Sequence, residues 1–171
     1  MNKENKMRHI KIEKVVLNVG ATGAEIEKGV KLLKLLTGKN PAKRKARKRI
    51  PALGVRPGLE VGAVVTLRKN FEGILKKMLA AVDNKIKRKQ VADNHFSFGI
   101  HEYIEIPGTE FQRDIGIRGL DVTVVFERAG KRVAKRKIKR GKIPKRQAVT
   151  KKEIINFMEN KFEIRFEGKE T

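Results

Sequence analysis

An α+β fold is what this sequence predicts: one domain, a largely antiparallel sheet, helices packed on one face and the opposite face left open. Three observations predict it. The strand-like segments alternate apolar and polar residues instead of running continuously apolar, the pattern of antiparallel sheets solvated on one side. Segments with apolar residues at helical spacing fall between them, so helices and strands are layered around a shared core. The length of 171 residues suits a single core, burying roughly 70% of the unfolded surface.

Ile10 to Val19 reads as a strand, because β-branched residues dominate and Val15, Leu17 and Val19 alternate with Val16 and Asn18. Gly20 ends it. Thr22-Gly-Ala-Glu25 matches a capping box, in which hydroxyl and carboxylate satisfy backbone N–H groups at a helix start. The helix carries Ile26, Val30 and Leu33 on one stripe, with Leu32 and Leu36 beside it, and stops at Gly38. Six basic residues then fall in the seven positions Lys43 to Arg49, which excludes a core element. Pro51, Gly54, Pro57, Gly58 and Gly62 punctuate the next segment, so residues 52–60 are predicted to form a protruding turn or hairpin tip.

Val61 to Arg68 resumes strand character, with Val61, Ala63, Val65 and Leu67 on one face and Val64, Thr66 and Arg68 on the other. Asn70 suits an N-cap for a helix in which Phe71, Leu75, Met78, Val82 and Ile86 recur, with Ile74 and Leu79 filling the stripe. Phe96 to Ile106 and Leu120 to Glu127 alternate again and are predicted as half-buried strands. Residues 131–146 hold ten Lys or Arg in sixteen, broken by Gly141 and Pro144, and read as a segment that orders against a partner. Thr150-Lys-Lys-Glu153 is a second capping box, opening a short helix through Ile154, Ile155 and Met158. Phe162, Ile164 and Phe166 alternate as a closing strand. The whole chain, 1–171, reads as one domain with a basic projection at 39–60 and a basic extension at 129–149.

Charge narrows the function. The chain has 42 Lys+Arg against 19 Asp+Glu, a formal net charge of +23, which repels itself until a polyanion neutralises it. A membrane surface calls for a basic amphipathic helix with exposed Trp or Phe, or for a lipid anchor. The sequence has no Trp, no Cys and no apolar run near the roughly 20 residues of a spanning helix, and Met1 to Lys11 has no apolar signal core. No membrane partner is expected, and the cytoplasm is the default location. Without Cys there are no disulfides and no thiolate metal sites. His9, His95 and His101 lack metal-ligand spacing, the acids are dispersed, and Gly20-Ala-Thr-Gly23 only faintly resembles a phosphate-binding turn. No catalytic residue, metal or cofactor is expected, and the protein is not expected to be an enzyme.

Nucleic acid remains. No acid interrupts Lys39 to Arg49 or residues 131–146, so Lys43, Arg44, Lys45, Arg47, Lys48, Lys131, Arg132, Lys135 and Arg136 are candidate phosphate contacts. If each strand turns its apolar side to the helices, Asn18, Thr66, Arg68, His101, Tyr103, Asp121 and Thr123 project from the open face. Small polar side chains there suit backbone and 2′-hydroxyl contacts. Phe96 and Phe98 share their side with Ile100, which makes them core rather than a base-stacking platform. No homeodomain, zinc-finger or basic-zipper pattern appears, and RNA is favoured over DNA.

Six blocks, in order across about residues 8–128, resemble one family. They are Leu17-Asn18-Val19-Gly20, Leu36-Thr37-Gly38-Lys39-Asn40-Pro41, Lys45-Ala46-Arg47-Lys48, Val65-Thr66-Leu67-Arg68, Phe98-Gly99-Ile100-His101-Glu102 and Ile117-Arg118-Gly119-Leu120-Asp121. The family is that of universal large-subunit ribosomal protein number five, called number eleven in eukaryotes. The basic tail after Arg128 resembles its archaeal and eukaryotic branch. The resemblance implies a structural role on the cytoplasmic ribosome. It implies 5S rRNA bound on the sheet face opposite the helices, with Asn18 and Thr66 among the contacts, and attachment of that RNA to the large-subunit rRNA in the central protuberance. Lys39, beside Asn40, stands where the family usually has glutamine. The turn Leu53-Gly54-Val55-Arg56-Pro57-Gly58 resembles the loop that reaches the P-site tRNA, with Arg56 as its cation. A companion 5S-binding ribosomal protein and a small-subunit protein at an intersubunit bridge are the implied protein partners. Two other classes share the composition: an RNA-modifying enzyme or its guide cofactor, and a nonspecific coating protein, which would prefer B-form DNA.

Overall fold

The alternating segments pair into one sheet. In the computed structural model, which describes residues 5–168, the strands are β1 (Ile10–Gly20), β2 (Ala42–Lys45), β3 (Glu60–Leu67), β4 (Lys85–Lys87), β5 (Val91–Ala92), β6 (His95–Ile100), β7 (Leu120–Arg128) and β8 (Arg165–Glu167). The helices are α1 (Glu25–Thr37), α2 (Glu72–Ala80), α3 (Arg132–Lys135) and α4 (Lys151–Phe162). Residues 1–4, at the head of the charged start Met1 to Lys11, and 169–171 lie outside the described residues. Six strands form a sheet in the order β2-β3-β1-β7-β6-β5, antiparallel at every pairing. β4 and β8 make a separate parallel pair that the sequence reading missed.

Alternation decides which side is core. Val15, Leu17 and Val19 of β1, Ala63, Val65 and Leu67 of β3, Phe96, Phe98 and Ile100 of β6, and Val122, Val124 and Phe126 of β7 are buried in one cluster. Leu32 and Leu33 of α1, Leu75, Met78 and Leu79 of α2, and Ile154, Met158 and Phe162 of α4 belong to it too. The three long helices α1, α2 and α4 therefore lie on one face, as predicted, whereas the single turn of α3 buries nothing. Each fully buried aliphatic or aromatic contributes about 1.5–3 kcal/mol of transfer free energy.

Helix ends follow backbone chemistry more than motif matching. Gly38 takes the left-handed conformation (φ 66°) and donates its N–H to the Lys34 carbonyl, closing α1 where predicted. The capping box expected at Thr22 does not form. Ala24 is the N-cap, Gly23 turns at φ 61°, and Glu25 opens the helix and faces Arg118 at 3.4 Å. Asn70 is likewise no cap: its φ is 55°, and Phe71 precedes the helix. The Thr150 capping box forms as predicted, with the Thr150 N–H donating to Glu153 at 2.9 Å. Burial raises the Glu153 carboxyl's pKa, but bonds from Thr150 and from Arg128, at 2.5 Å, outweigh it and leave the pKa lowered.

Three predicted elements differ in extent, two ending early and one starting late. The helix read through Ile86 stops at Ala80, because Asp83 and Asn84 both adopt left-handed backbone (φ 53° and 56°); Ile86 is buried instead on β4, opposite Phe166. The strand read through Ile106 stops at Ile100. Beyond it, Tyr103 to Glu105 form a 3-10 turn whose spacing buries Tyr103 and Ile106 and exposes Ile104. Gly119 permits this ending, since a Cβ there would lie 2.7 Å from the His101 carbonyl and 2.8 Å from that of Ile100. Finally, Phe162 closes α4 rather than joining a strand, and Glu163 turns the chain at φ 56° before β8.

Candidate nucleic-acid interface

The open face of the sheet is built by register. One row across it reads Ala42, Val64, Asn18, Asp121, Gly99, from β2, β3, β1, β7 and β6 in turn. The next reads Thr66, Val16, Thr123, Ser97. Asn18 and Thr66 thus share a face, one row apart, as the sequence reading expected. Ser97 and Thr123 hold each other through their hydroxyls at 3.1 Å, which fixes the rotamers of a small polar patch. A shallow depression of about 430 Å³ lies here, lined by Asn18, Gln90, Ser97, Phe98, Gly99, Asp121 and Thr123.

The face differs from the expected one at three positions. Tyr103 is fully buried, its hydroxyl accepting the Gln112 N–H at 2.8 Å, so it cannot touch a ligand. His101 and Arg68 are exposed but lie just past the ends of β6 and β3. Ser97, Gly99 and Gln90 belong to the depression and were not assigned to the face. Alternation in β6 already put Ser97 and Gly99 on its polar side, whereas Gln90 sits in a 3-10 turn with no periodic signal.

The basic run is divided by strand geometry. β2 is an edge strand with all four residues exposed, consistent with its exclusion from the core. Arg44 pairs with Gly62 and shares the open side with Val64, whereas Lys43 reaches the helix side and binds Glu27 of α1, with Glu60 at 3.5 Å. Hydrogen bonding to Glu27 raises the Lys43 pKa. Arg44, Lys45, Arg47 and Lys48 are exposed, and their side chains form no ion pair or hydrogen bond among the described residues. Lys39 and Asn40, after α1, are exposed as well.

Between β2 and β3 the chain forms a hairpin tip, as predicted for 52–60. Ile50 and Val55 bridge, each N–H donating to the other's carbonyl at 2.9 and 3.1 Å, and Gly54 turns at φ 62°. The tip presents Leu53, 71% exposed, with Gly54, Arg56, Pro57 and Gly58 also exposed. Val55 is 6% exposed, so it supports the tip and is not part of its contact surface.

The basic extension has internal contacts that the sequence did not reveal. A bulge between Ile12 and Lys14 displaces Glu13 from the β1–β7 ladder. Lys131 and Lys135 of the extension bind its carboxylate at 2.8 and 2.6 Å, and Lys135 also reaches Glu127 at 3.0 Å. Arg132 and Arg136 are exposed, and the Arg136 Nε donates to the Lys139 carbonyl at 2.6 Å. Burial pushes the Glu13 carboxyl up, but hydrogen bonds and charge from the two lysines outweigh it and lower its pKa from 4.5 to about 2. A depressed folded-state pKa contributes stability above the unfolded value and loses it as pH falls toward the folded one. Glu13→Gln should therefore destabilise the protein at pH 6, and the gap to wild type should close between about pH 4.5 and 2 in denaturant titrations. A gap independent of pH would show that the carboxylate contributes nothing.

Among the described residues no three His, Asp or Glu side chains converge as metal ligands, and no helix is long and apolar enough to cross a membrane. An uncovered polar sheet face edged by free cations on an antiparallel α+β scaffold is an arrangement suited to a nucleic-acid partner. Residues 60–157 match the model of the C-terminal region of the ribosomal L5 family, and residues 5–56 that of ribosomal protein L5. Similar proteins include the large ribosomal subunit protein uL5 of Nanoarchaeum equitans, 44% identical over 94% of this chain and 98% of the relative. Those of Sulfolobus acidocaldarius (42%, covering 95% and 93%) and Pyrobaculum aerophilum (43%, covering 92% and 90%) are comparable. The chain belongs to the ribosomal L5 family. It is a large-subunit ribosomal protein of the cytoplasmic ribosome, with a structural role and no enzymatic one.

Proposed function

We propose that this protein binds 5S rRNA through the open sheet face and attaches it to the large-subunit rRNA in the central protuberance, while the 52–60 hairpin touches the P-site tRNA. The observation that carries this reading is the polar face containing Asn18 and Thr66, flanked on its β2 edge by the exposed side chains of Arg44, Lys45, Arg47 and Lys48, which have no ion pair among the described residues. Cations supply affinity through counterion release, and hydrogen-bonding groups on a rigid sheet supply register and selectivity. Arg132 and Arg136 extend the basic surface, while Lys131 and Lys135 beside them are held by Glu13. The family resemblance adds two protein partners: a companion 5S-binding protein and a small-subunit protein at an intersubunit bridge.

Filter binding of 5S rRNA, tRNA and duplex DNA across a salt series tests the reading. Wild type should prefer 5S rRNA, and Asn18→Ala or Thr66→Ala should each weaken that complex about five- to tenfold, roughly the value of one hydrogen bond to a charged or polar RNA group. Binding to duplex DNA should hardly change. Equal affinity for an unrelated RNA duplex of the same length would overturn it.

A further inference from the structure

The far end of the sheet carries a cavity that the RNA contacts proposed above do not use. At roughly 3.3 Å per residue, the Ile10–Arg128 pair lies about 25 Å along β1 from Asn18. Past that pair the chain turns through α3 and comes back, the Gly141 N–H donating to the Val133 carbonyl at 3.1 Å. Gly141 permits this approach, since a Cβ there would lie 2.8 Å from Val133 Cγ1. Between the returning segment and the 3-10 turn at Lys6–Arg8 lies a cavity of about 540 Å³, a size that suits a small ligand.

Its lining is divided by chemistry. Arg8, Lys142 and Arg146 are exposed, their side chains have no ion pair or hydrogen bond, and no acid lines the cavity among the described residues. Arg128 is held in the wall by Glu153 at 2.5 Å, and its Nε is buried without an acceptor. Buried donors are normally satisfied, and a phosphate oxygen is an acceptor of the right kind. Met7, Val133, Ile143 and Pro144 make the apolar part, with Met7 and Val133 exposed. A free phosphate would leave that part wet, and an apolar side chain would leave the cations unpaired. A nucleotide uses both, offering phosphate to the cations and a flat ring to the thioether and aliphatic carbons. The Gln147 amide adds donors and an acceptor for the ring's edge.

We propose that this cavity receives one unstacked nucleotide of the large-subunit rRNA, its base against Met7, Val133, Ile143 and Pro144 and its phosphate on Arg8, Lys142 and Arg146. Taking a base out of the stack costs least where it is already unpaired, so the site reads a loop or bulge rather than a duplex. The inference rests on the proposed attachment to that rRNA and gives it a second anchor, remote from the face assigned to 5S rRNA.

In NMR titrations of the isotope-labelled full chain, adenosine and guanosine monophosphate should shift the Ala129 and Gly130 amides, which line the cavity. Inorganic phosphate should bind roughly tenfold more weakly, because it brings no ring to stack. Val133→Phe narrows the apolar part and keeps every charge. It should weaken the complex with a transcript of the large-subunit central protuberance about tenfold at an unchanged salt slope. Joint replacement of Arg8, Lys142 and Arg146 by glutamine should instead make that slope shallower by about two. Met7→Ala, at an exposed position, should give a smaller loss with the slope unchanged, and it serves if thermal melts show Val133→Phe unfolded. Chemical probing of the transcript should show one unpaired nucleotide whose reactivity changes on binding wild type and not on binding Val133→Phe. Phosphate binding as tightly as the mononucleotides, equal competition by an oligoglutamate peptide, or a probing pattern indifferent to Val133→Phe overturns the proposal. Loss of 5S rRNA preference in wild type, with the mononucleotide shifts and the probed nucleotide intact, sinks the sheet-face reading and supports the cavity, so the two failures are distinct.

Discussion

Phe126→Ala should lower the melting temperature by roughly 6–20 °C while leaving RNA affinity per folded molecule unchanged. Phe126 is fully buried, stacks on Phe96 at 5.8 Å and meets Phe157 edge-on at 5.9 Å. Its β7 position lies where the main sheet touches α4, so truncation opens a cavity between two layers rather than at an edge. Phe-to-Ala changes of this kind cost about 3–5 kcal/mol, a large share of a stability of about 5–15 kcal/mol. At this size each kcal/mol is worth about 2–4 °C. Thermal unfolding monitored by circular dichroism provides the test, and a shift below about 2 °C would mean the aromatic cluster is not the centre of the core. Phe126→Leu should recover most of the loss, because volume is largely kept.

Replacing Arg44, Lys45, Arg47 and Lys48 together by glutamine should have the opposite profile: an unchanged fold and a weakened complex. All four are exposed and unpaired among the described residues, so folding loses nothing. Each phosphate contact contributes a slope of about −0.7 to −0.9 in log affinity against log salt. Four lost contacts should make that slope shallower by about three and reduce affinity on the order of a hundredfold at low salt. Lys43→Gln is the contrast, since Lys43 is held by Glu27 and should change the slope least. A slope unaltered in the quadruple variant would place the RNA elsewhere on the surface.

These contrasts also show where sequence reasoning reached its limit. Period-two alternation located β1, β3 and β7 and the β6 core residues, and therefore both the helix-covered and the open side of the sheet. It put Asn18 and Thr66 on one face without any coordinates. The Thr150 capping box and the glycine stop of α1 were legible because both depend on local backbone chemistry. Helical spacing failed at Val82 to Ile86, where burial recurs four residues on but consecutive left-handed residues have ended the helix. Tyr103 was misplaced for a similar reason: the alternation of β6 was carried past a turn that Gly119 makes room for.

By itself the sequence determined an antiparallel α+β fold, a positive chain in need of a polyanion, and the polar side chains of an open sheet face. All of these arise from local periodicity and composition. Only the tertiary structure decided which cations stay free. Lys43, Lys131 and Lys135 are neutralised by acids 16, 118 and 122 residues away in the chain, while Arg44 is not. It also set Asp121 beside Asn18 and Gly99. Charge pairing and cross-strand register are contacts between segments remote in sequence, so no local pattern encodes them.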